Sequence, residues 1–465
     1  MTVEQQKRTL VSKSYGTLEK ADAFVYRDFE PADSATMETV TKLASDLGLP
    51  SKGQVQSLKY IRCLSDFLVA AKTTDTGLIA WTGGAGEYAG PPYGHSIADT
   101  TRKALLRQGI ITLHQKASKR DGLARLFMVD FEQLPALGRY KLHGLGPLVI
   151  VKSKKETIKG KTTGGTPMGR KQFEPEISKL EKQVAGFNKL MTAQPLVSPK
   201  DVSYGRCYRI FNNGSLRSGG RLYGPWQTIP ERQRLEMTIG GEPVCEIDFK
   251  ASFLSIAHGL IGSKVVLPTD PYQKIKFVRD AKGTDEEELH RTAAKLLVNA
   301  YLCRKGDLKQ FPKSKTKDKA TGKTIPFKKL HNLRKPCGFY MEQIHAAFPF
   351  LRLAKSRQFD LMFEEATIVV SAMEELRSQG IVSWPVHDSL LVKKSDLHEA
   401  EKALKAATIS QLGREITMDC SYLDESGEVK TEMISSEAKD CSSDGLIDHC
   451  ECVEDEEDFD LIEAA

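Results

Sequence analysis

The chain of 465 residues has no apolar run of the length a helix needs to cross a bilayer, about 20 residues. Its opening octet, M-T-V-E-Q-Q-K-R, is polar and lacks the pattern of a secretory leader. Nine cysteines are scattered without regular spacing. That excludes a disulfide-framed secreted scaffold and favours a reducing compartment. No internal repeat is present. What remains is the composition of an ordinary globular protein, long enough for two or three domains, expected in the cytoplasm and without a membrane partner.

Charge is unevenly spread. Residues 437–465 carry twelve Asp or Glu and one Lys, a net of −11, which leaves +17 on residues 1–436 from the overall +6. A basic body points to a polyanionic partner, nucleic acid first, with a solubilising surface as the plainer reading. The acidic end, assigned to residues 424–465, lacks periodicity and is expected to be disordered. Its close, D-F-D-L-I-E, mixes acids with apolar residues and could dock a protein partner.

The first 150 residues suggest a helical segment followed by a small DNA-binding module. Val55 to Lys72 reads as an amphipathic helix. In H-S-I-A-D-T-T-R-K-A-L-L-R-Q-G, from His95, Ser96 or Asp99 can cap a helix and Gly109 can end it. Strands follow at Ile110–Leu113 and Leu123–Phe131, around a basic turn at Lys116–Gly122. This order resembles a winged helix-turn-helix. The helix would present Thr100, Arg102, Lys103 and Arg107 to a DNA groove, and the turn would offer Lys116, Lys119 and Arg120 to phosphates. A protein-contact module is the alternative. Residues 151–173, rich in Lys, Gly and Thr, read as a flexible basic linker.

The remaining body, residues 174–423, holds two carboxylates in unlikely company. I-V-S-W-P-V-H-D-S-L-L-V, Ile381 to Val392, reads as one apolar strand with Asp388 in its middle. Val244 to Phe249 reads as another, with Asp248 near its end and a helix after it. Two strand aspartates from distant parts of the chain can converge on divalent metal, whose hard character suits carboxylate and phosphate oxygens. Between them, D-E-E-E-L-H-R-T-A-A-K-L-L-V-N-A-Y-L places Arg291, Lys295 and Asn299 on one helical stripe. Such a stripe can clamp a triphosphate, although a solvated basic face is the plainer reading.

Taken in order, the motifs resemble the family A DNA polymerases. Those proteins carry Thr-Gly-Arg-Leu-Ser-Ser leading to Asn-Leu-Gln-Asn-Ile-Pro, and later Val-His-Asp-Glu. Here Gly220-Arg221-Leu222 and Gln227-Thr228-Ile229-Pro230 match the first element, Asp248 the motif A aspartate, Arg291 and Lys295 motif B, and Val386-His387-Asp388 motif C. The resemblance covers about residues 202–424. It implies an α+β fold: a right-hand palm with an antiparallel sheet and helices, and helical fingers, preceded by the winged-helix-like module. It also implies two Mg²⁺ ions, with Mn²⁺ as a substitute, held by Asp248, Asp388 and the Phe249 carbonyl. Arg291 and Lys295 would bind the incoming dNTP, with Phe253, Asn299 and Tyr301 at the nucleotide, and Arg221, Gln227 and His387 would contact the DNA primer-template.

The departures are specific. Cys303 stands eight residues after Lys295, where the family has Tyr-Gly, and Tyr301 comes two residues early. Asn299 replaces a base-stacking aromatic, and motif C ends Asp-Ser, as in single-subunit phage RNA polymerases. Phe253, five residues after Asp248, could act as a steric gate against a 2′-hydroxyl or simply pack under its helix. No acidic exonuclease motif stands ahead of the palm. The reading is an exonuclease-free DNA polymerase serving a phage, plasmid or other mobile element. The alternatives are a catalytically inactive DNA-binding initiator or regulator, and a primase-like or terminal-transferase-like synthetase.

Overall fold

The computed structural model describes residues 23–434, apart from 26–27, 51–52, 84–87, 89–91, 118–124, 159–160, 305, 315 and 317–323. Lys119 and Arg120 therefore lie outside the described residues, as does the acidic stretch 435–465. The architecture is α+β, and most strand pairs among the described residues are antiparallel. Among the described residues no helix is long and apolar enough to cross a membrane.

The main sheet is built around the strand Glu242–Phe249. Its Val244, Cys245, Glu246 and Ile247 are all buried, as expected for a strand covered on both faces. Ser389–Lys393 pairs with it antiparallel and Met418–Leu423 flanks it as well. Leu390, Leu391 and Val392 form a continuous buried run in the first of these partners. The sheet continues through Thr238–Ile239, Leu196–Val197, Val202–Tyr204 and Tyr140–Leu142 to Phe29–Pro31. The described residues from 23 to 434 cluster as one unit. The boundary expected near residue 150 is thus crossed by a single sheet, through the parallel pairing of Tyr140–Leu142 with Val202–Tyr204.

Three expectations change on folding. The apolar stretch Ile381–Val392 is a hairpin, Trp384–Val386 and Ser389–Lys393, whose paired ends Val386 and Ser389 leave His387 and Asp388 as the turn. The basic segment 151–173 is not featureless: Val149–Val151 joins a three-stranded sheet, Glu156–Ile158 pairs with Lys161–Thr163, and Arg170–Phe173 forms a helical turn. The chain also stays ordered past Asp424, because Val429–Ile434 pairs with Met418–Leu423 and adds an edge strand.

Helices cover the sheet. Ser252–Ile261 follows Glu242–Phe249 through Ala251, whose φ of +49° makes a sharp, left-handed joint that non-glycine residues seldom adopt. Leu361–Ser378 packs on Ser252–Ile261, on Leu397–Leu412 and on the strand Gly219–Tyr223. Gly220 permits that last approach: a Cβ there would sit 3.0 Å from the Phe211 ring and 3.4 Å from Phe363 of the helix. The helix Glu287–Cys303 packs against Lys276–Arg279, Phe350–Arg357 and Ser252–Ile261.

In the N-terminal part, Gln54–Thr73 and His95–Arg107 are helical. A four-stranded sheet runs in the order Ala23–Phe24, Leu78–Ala80, Leu126–Val129, Ile111–Gln115.

Candidate active site

The site is built on register. Asp248 stands directly opposite Ser389, so the turn residue Asp388 lies beside the end of the Glu242–Phe249 strand. Alternation along that strand puts Glu246 on the same face as Asp248. Asp248 reaches solvent, yet protein walls it closely. Its carboxyl is pushed up to about 8 by burial and by the negative charges of Asp388 and Glu246, against the pull of Lys295. Two carboxylates with one ammonium near them are short of positive charge, which is the electrostatic deficit a divalent cation fills. Among the described residues no group of three or more His, Cys, Asp or Glu is arranged to hold a metal. A cation at this pair would therefore depend on oxygens beyond the two carboxylates. Phe249 has no ligating atom in its side chain, so its backbone carbonyl is what it could contribute.

Behind the pair sits a residue that sequence reasoning missed. Glu365, on Leu361–Ser378, is fully buried. Arg221 Nε donates to its Oε1 at 2.7 Å, with a second contact from Arg221 Nη2, and Ser252 Oγ donates to its Oε2 at 2.6 Å. Burial and the nearby Asp388 raise the Glu365 carboxyl to about 7, opposed by Arg221 and Ser252. The signal was present: Glu365 interrupts the apolar stripe Leu361, Val369, Ala372, Leu376 of its own helix.

His387 is exposed in the turn with φ of +58°. Burial by surrounding protein, Arg221 and Arg234 lower its pKa, while Asp388 raises it. Arg221 also reaches across to Phe253, its guanidinium carbon 5.9 Å from the ring centroid. Phe253 is half-buried and lines a cavity of about 640 Å³ with Leu302, Cys303, Arg304, Lys355 and Asp360. Cys303, the position eight residues past Lys295, thus shares a wall with Phe253.

On the helix Glu287–Cys303, Lys295 is exposed and within electrostatic reach of Asp248. Arg291 is half-buried and its Nε donates to Asp270 Oδ2 at 2.7 Å. Asn299 is partly exposed on the same stripe.

Three expected contacts point elsewhere. Tyr301 is buried, its ring 4.9 Å from His345 and 5.1 Å from the Lys355 ammonium, because two residues past Asn299 the helix has turned to its opposite face. Gln227 is also buried, and its Nε2 donates to the carbonyls of Leu222 at 2.9 Å and Pro385 at 2.8 Å. With Trp226 Nε1, which reaches the same Pro385 carbonyl at 2.9 Å, it latches the hairpin instead of facing a primer.

Arg102 is only 4% exposed and bonds the Thr82 carbonyl and Asp99, so it cannot enter a groove. Thr100, Lys103, Arg107 and Lys116 are exposed.

No protein-family model matches the chain. No curated protein sequence matches it either. Among solved structures, one similar chain is the POL domain of Pol1 from M. smegmatis in complex with DNA primer-template and dNTP, at 15% identity and a TM-score of 0.30. The alignment covers 53% of this chain and 51% of that one, so the chain spans about half the length of the structure it matches. At that score no argument rests on the likeness.

Proposed function

We propose that this chain catalyses template-directed nucleotidyl transfer, as a DNA polymerase of the family A type without a 3′–5′ exonuclease. One observation carries the reading: Asp248 and Asp388, 140 residues apart in sequence, lie at the same end of two paired strands of the main sheet, with Lys295 of a separate helix within electrostatic reach of Asp248. A purely structural carboxylate is met by donors, as Asp66 is, whereas Asp248 faces the carboxylates of Asp388 and Glu246.

In this reading Asp248, Asp388 and the Phe249 carbonyl hold Mg²⁺, or Mn²⁺ in its place. Bound there, the ions would lower the pKa of an attacking 3′-hydroxyl and offset charge on the leaving pyrophosphate. The protein's own side chains do the rest by positioning. Lys295 meets the triphosphate above the acidic pair. Arg291 joins it after exchanging Asp270 for a phosphate oxygen. Arg221, braced by Glu365, and His387 present donors to the primer end. Phe253 and Asn299 border the nucleotide, with Phe253 excluding a 2′-hydroxyl.

Thr100, Lys103, Arg107 and Lys116 of the N-terminal part would touch duplex phosphates, and such a module suits replication of a phage, plasmid or mobile element. The acidic segment would serve a protein partner.

The deciding experiment is extension of a labelled primer on a DNA template with Mg²⁺, dNTP against rNTP, beside Asp388→Ala. Extension with dNTP that the substitution abolishes supports the proposal; no extension and no de novo synthesis with either nucleotide refutes it. Phe253→Ala then tests sugar choice. Incorporation of rNTP should rise by roughly tenfold or more relative to dNTP; unchanged discrimination removes the gate.

A further inference from the structure

The turn that carries Asp388 is gripped from behind by a chain of hydrogen bonds that the proposed chemistry does not use. Arg234 and Glu246 are both buried, at 8% and 7% exposure. Arg234 Nε lies 3.0 Å from Glu246 Oε2, and Nη2 lies 2.8 Å from Oε1 and 2.7 Å from Oε2. Arg234 Nη1 donates to the Ile229 carbonyl at 2.5 Å. The Ser389 hydroxyl, 2.8 Å from Glu246 Oε1 and 2.8 Å from the Val386 carbonyl, shares its one proton between them. One chain of contacts therefore runs from the segment after Gln227, through the Glu242–Phe249 strand, to the residue that closes the His387–Asp388 turn.

Stability alone is a poor reason for this arrangement. A buried Arg–carboxylate pair roughly breaks even against apolar side chains of similar volume. What the pair supplies is direction. A charged acceptor fixes the Ser389 hydroxyl more firmly than a neutral one would. The turn needs fixing, because His387 holds a φ of +58°, which a non-glycine residue keeps only when its surroundings impose it.

We propose that Arg234, Glu246 and Ser389 form a positioning relay that sets the His387–Asp388 turn, and with it the Asp388 carboxylate, for a divalent cation. The inference rests on the reading of Asp248 and Asp388 as the metal-holding pair. It also gives the Asp-Ser ending of the motif a physical role: the neighbouring carboxylate comes from the adjacent strand, two residues before Asp248, and a hydroxyl connects it to the turn.

The test uses the full chain with Ser389→Ala, Ser389→Thr and Glu246→Gln. Mn²⁺ binding is measured by calorimetry without nucleotide, beside kcat and KM for primer extension and the thermal midpoint. Outer partners of metal ligands typically cost 10–100-fold on removal, so Ser389→Ala should weaken Mn²⁺ binding by about tenfold. It should lower kcat with KM for dNTP unchanged and the thermal midpoint nearly so. Ser389→Thr, which keeps the hydroxyl, should recover both metal binding and kcat. Adding Glu246→Gln to Ser389→Ala should cost less than Glu246→Gln alone.

Should Glu246→Gln fail to fold, Ser389→Ala decides by itself, since it removes one oxygen. A parent that binds Mn²⁺, with a Ser389→Ala variant equal to it in affinity and kcat, overturns the relay alone. A parent that neither binds Mn²⁺ nor extends a primer overturns the reading of the site and the relay with it.

Discussion

Asp66 and Asp248 are both aspartates walled in by protein, and they are opposites. Asp66, on the helix Gln54–Thr73, is 1% exposed and receives the amides of Asp28 and Phe29 at 2.9 and 2.8 Å and the Tyr93 hydroxyl at 2.6 Å. It ties the strand Phe29–Pro31 and Tyr93 to its helix. Burial raises its carboxyl well above the ordinary range although these donors pull the other way. Asp248 meets two further carboxylates in place of three donors, and it opens to solvent. Burial of an acid is thus uninformative by itself. What separates a structural aspartate from a site aspartate is whether its partners are donors or other acids.

Substitutions should split the two cleanly. The largest effect is on activity: Asp248→Ala, like Asp388→Ala, should abolish primer extension and leave the fold intact, as read by circular dichroism. Asp66→Ala should leave turnover per folded molecule unchanged at low temperature. It strands two amides and a hydroxyl, at about 1–3 kcal/mol for each buried group left unsatisfied, and should lower the thermal midpoint by many degrees. An Asp66→Ala protein of normal stability would break the comparison.

The next effect is pH-dependent. The folded Asp248 carboxyl is raised from 3.8 to about 8, so without metal its contribution to stability is fully present below about pH 4 and lost as pH rises through about 8. In chelator, the parent should lose stability relative to Asp248→Asn between pH 5 and pH 8, and Mg²⁺ should reverse that loss at pH 8. Thermal melts of the two proteins across that range check it; parallel curves would show that the carboxyls do not repel.

The smallest effect concerns Arg291. Its pair with Asp270 is partly exposed, at 36% and 25% for the two side chains, and such pairs contribute about 0.2–1 kcal/mol. Asp270→Asn should therefore lower KM for dNTP by a few-fold, with kcat little changed. A higher KM would mean that Asp270 organises the arginine instead of competing for it.

Much of this was legible before folding because it is local. The helix from Asp285 to Leu302 is found as Glu287–Cys303, since apolar spacing and an acidic first turn need no tertiary context. The strand bearing Asp248 was legible for the same reason. The hairpin at His387 was not: with no glycine or asparagine in V-H-D-S, nothing marks a two-residue turn inside an apolar run. For Glu365 the broken apolar stripe marks a buried acid, but its role depends on Arg221 and Ser252, 144 and 113 residues away. For Arg102 and Gln227 residue type suggests contact with nucleic acid, yet type does not say which way a side chain faces, and both are buried.

Legible in the chain alone are the helix Glu287–Cys303, the strand bearing Asp248, the charge asymmetry between body and end, and the order in which Arg221, Asp248, Arg291, Lys295 and Asp388 occur. These follow from period, composition and spacing. Which polar groups meet was settled only on folding. Register put Ser389 opposite Asp248, the close approach at Gly220 let Arg221 reach Glu365, and the Arg234–Glu246 pair gave Ser389 its direction. Electrostatic and hydrogen-bond energies depend on distances between groups far apart in the chain, and those distances exist only once the chain has folded.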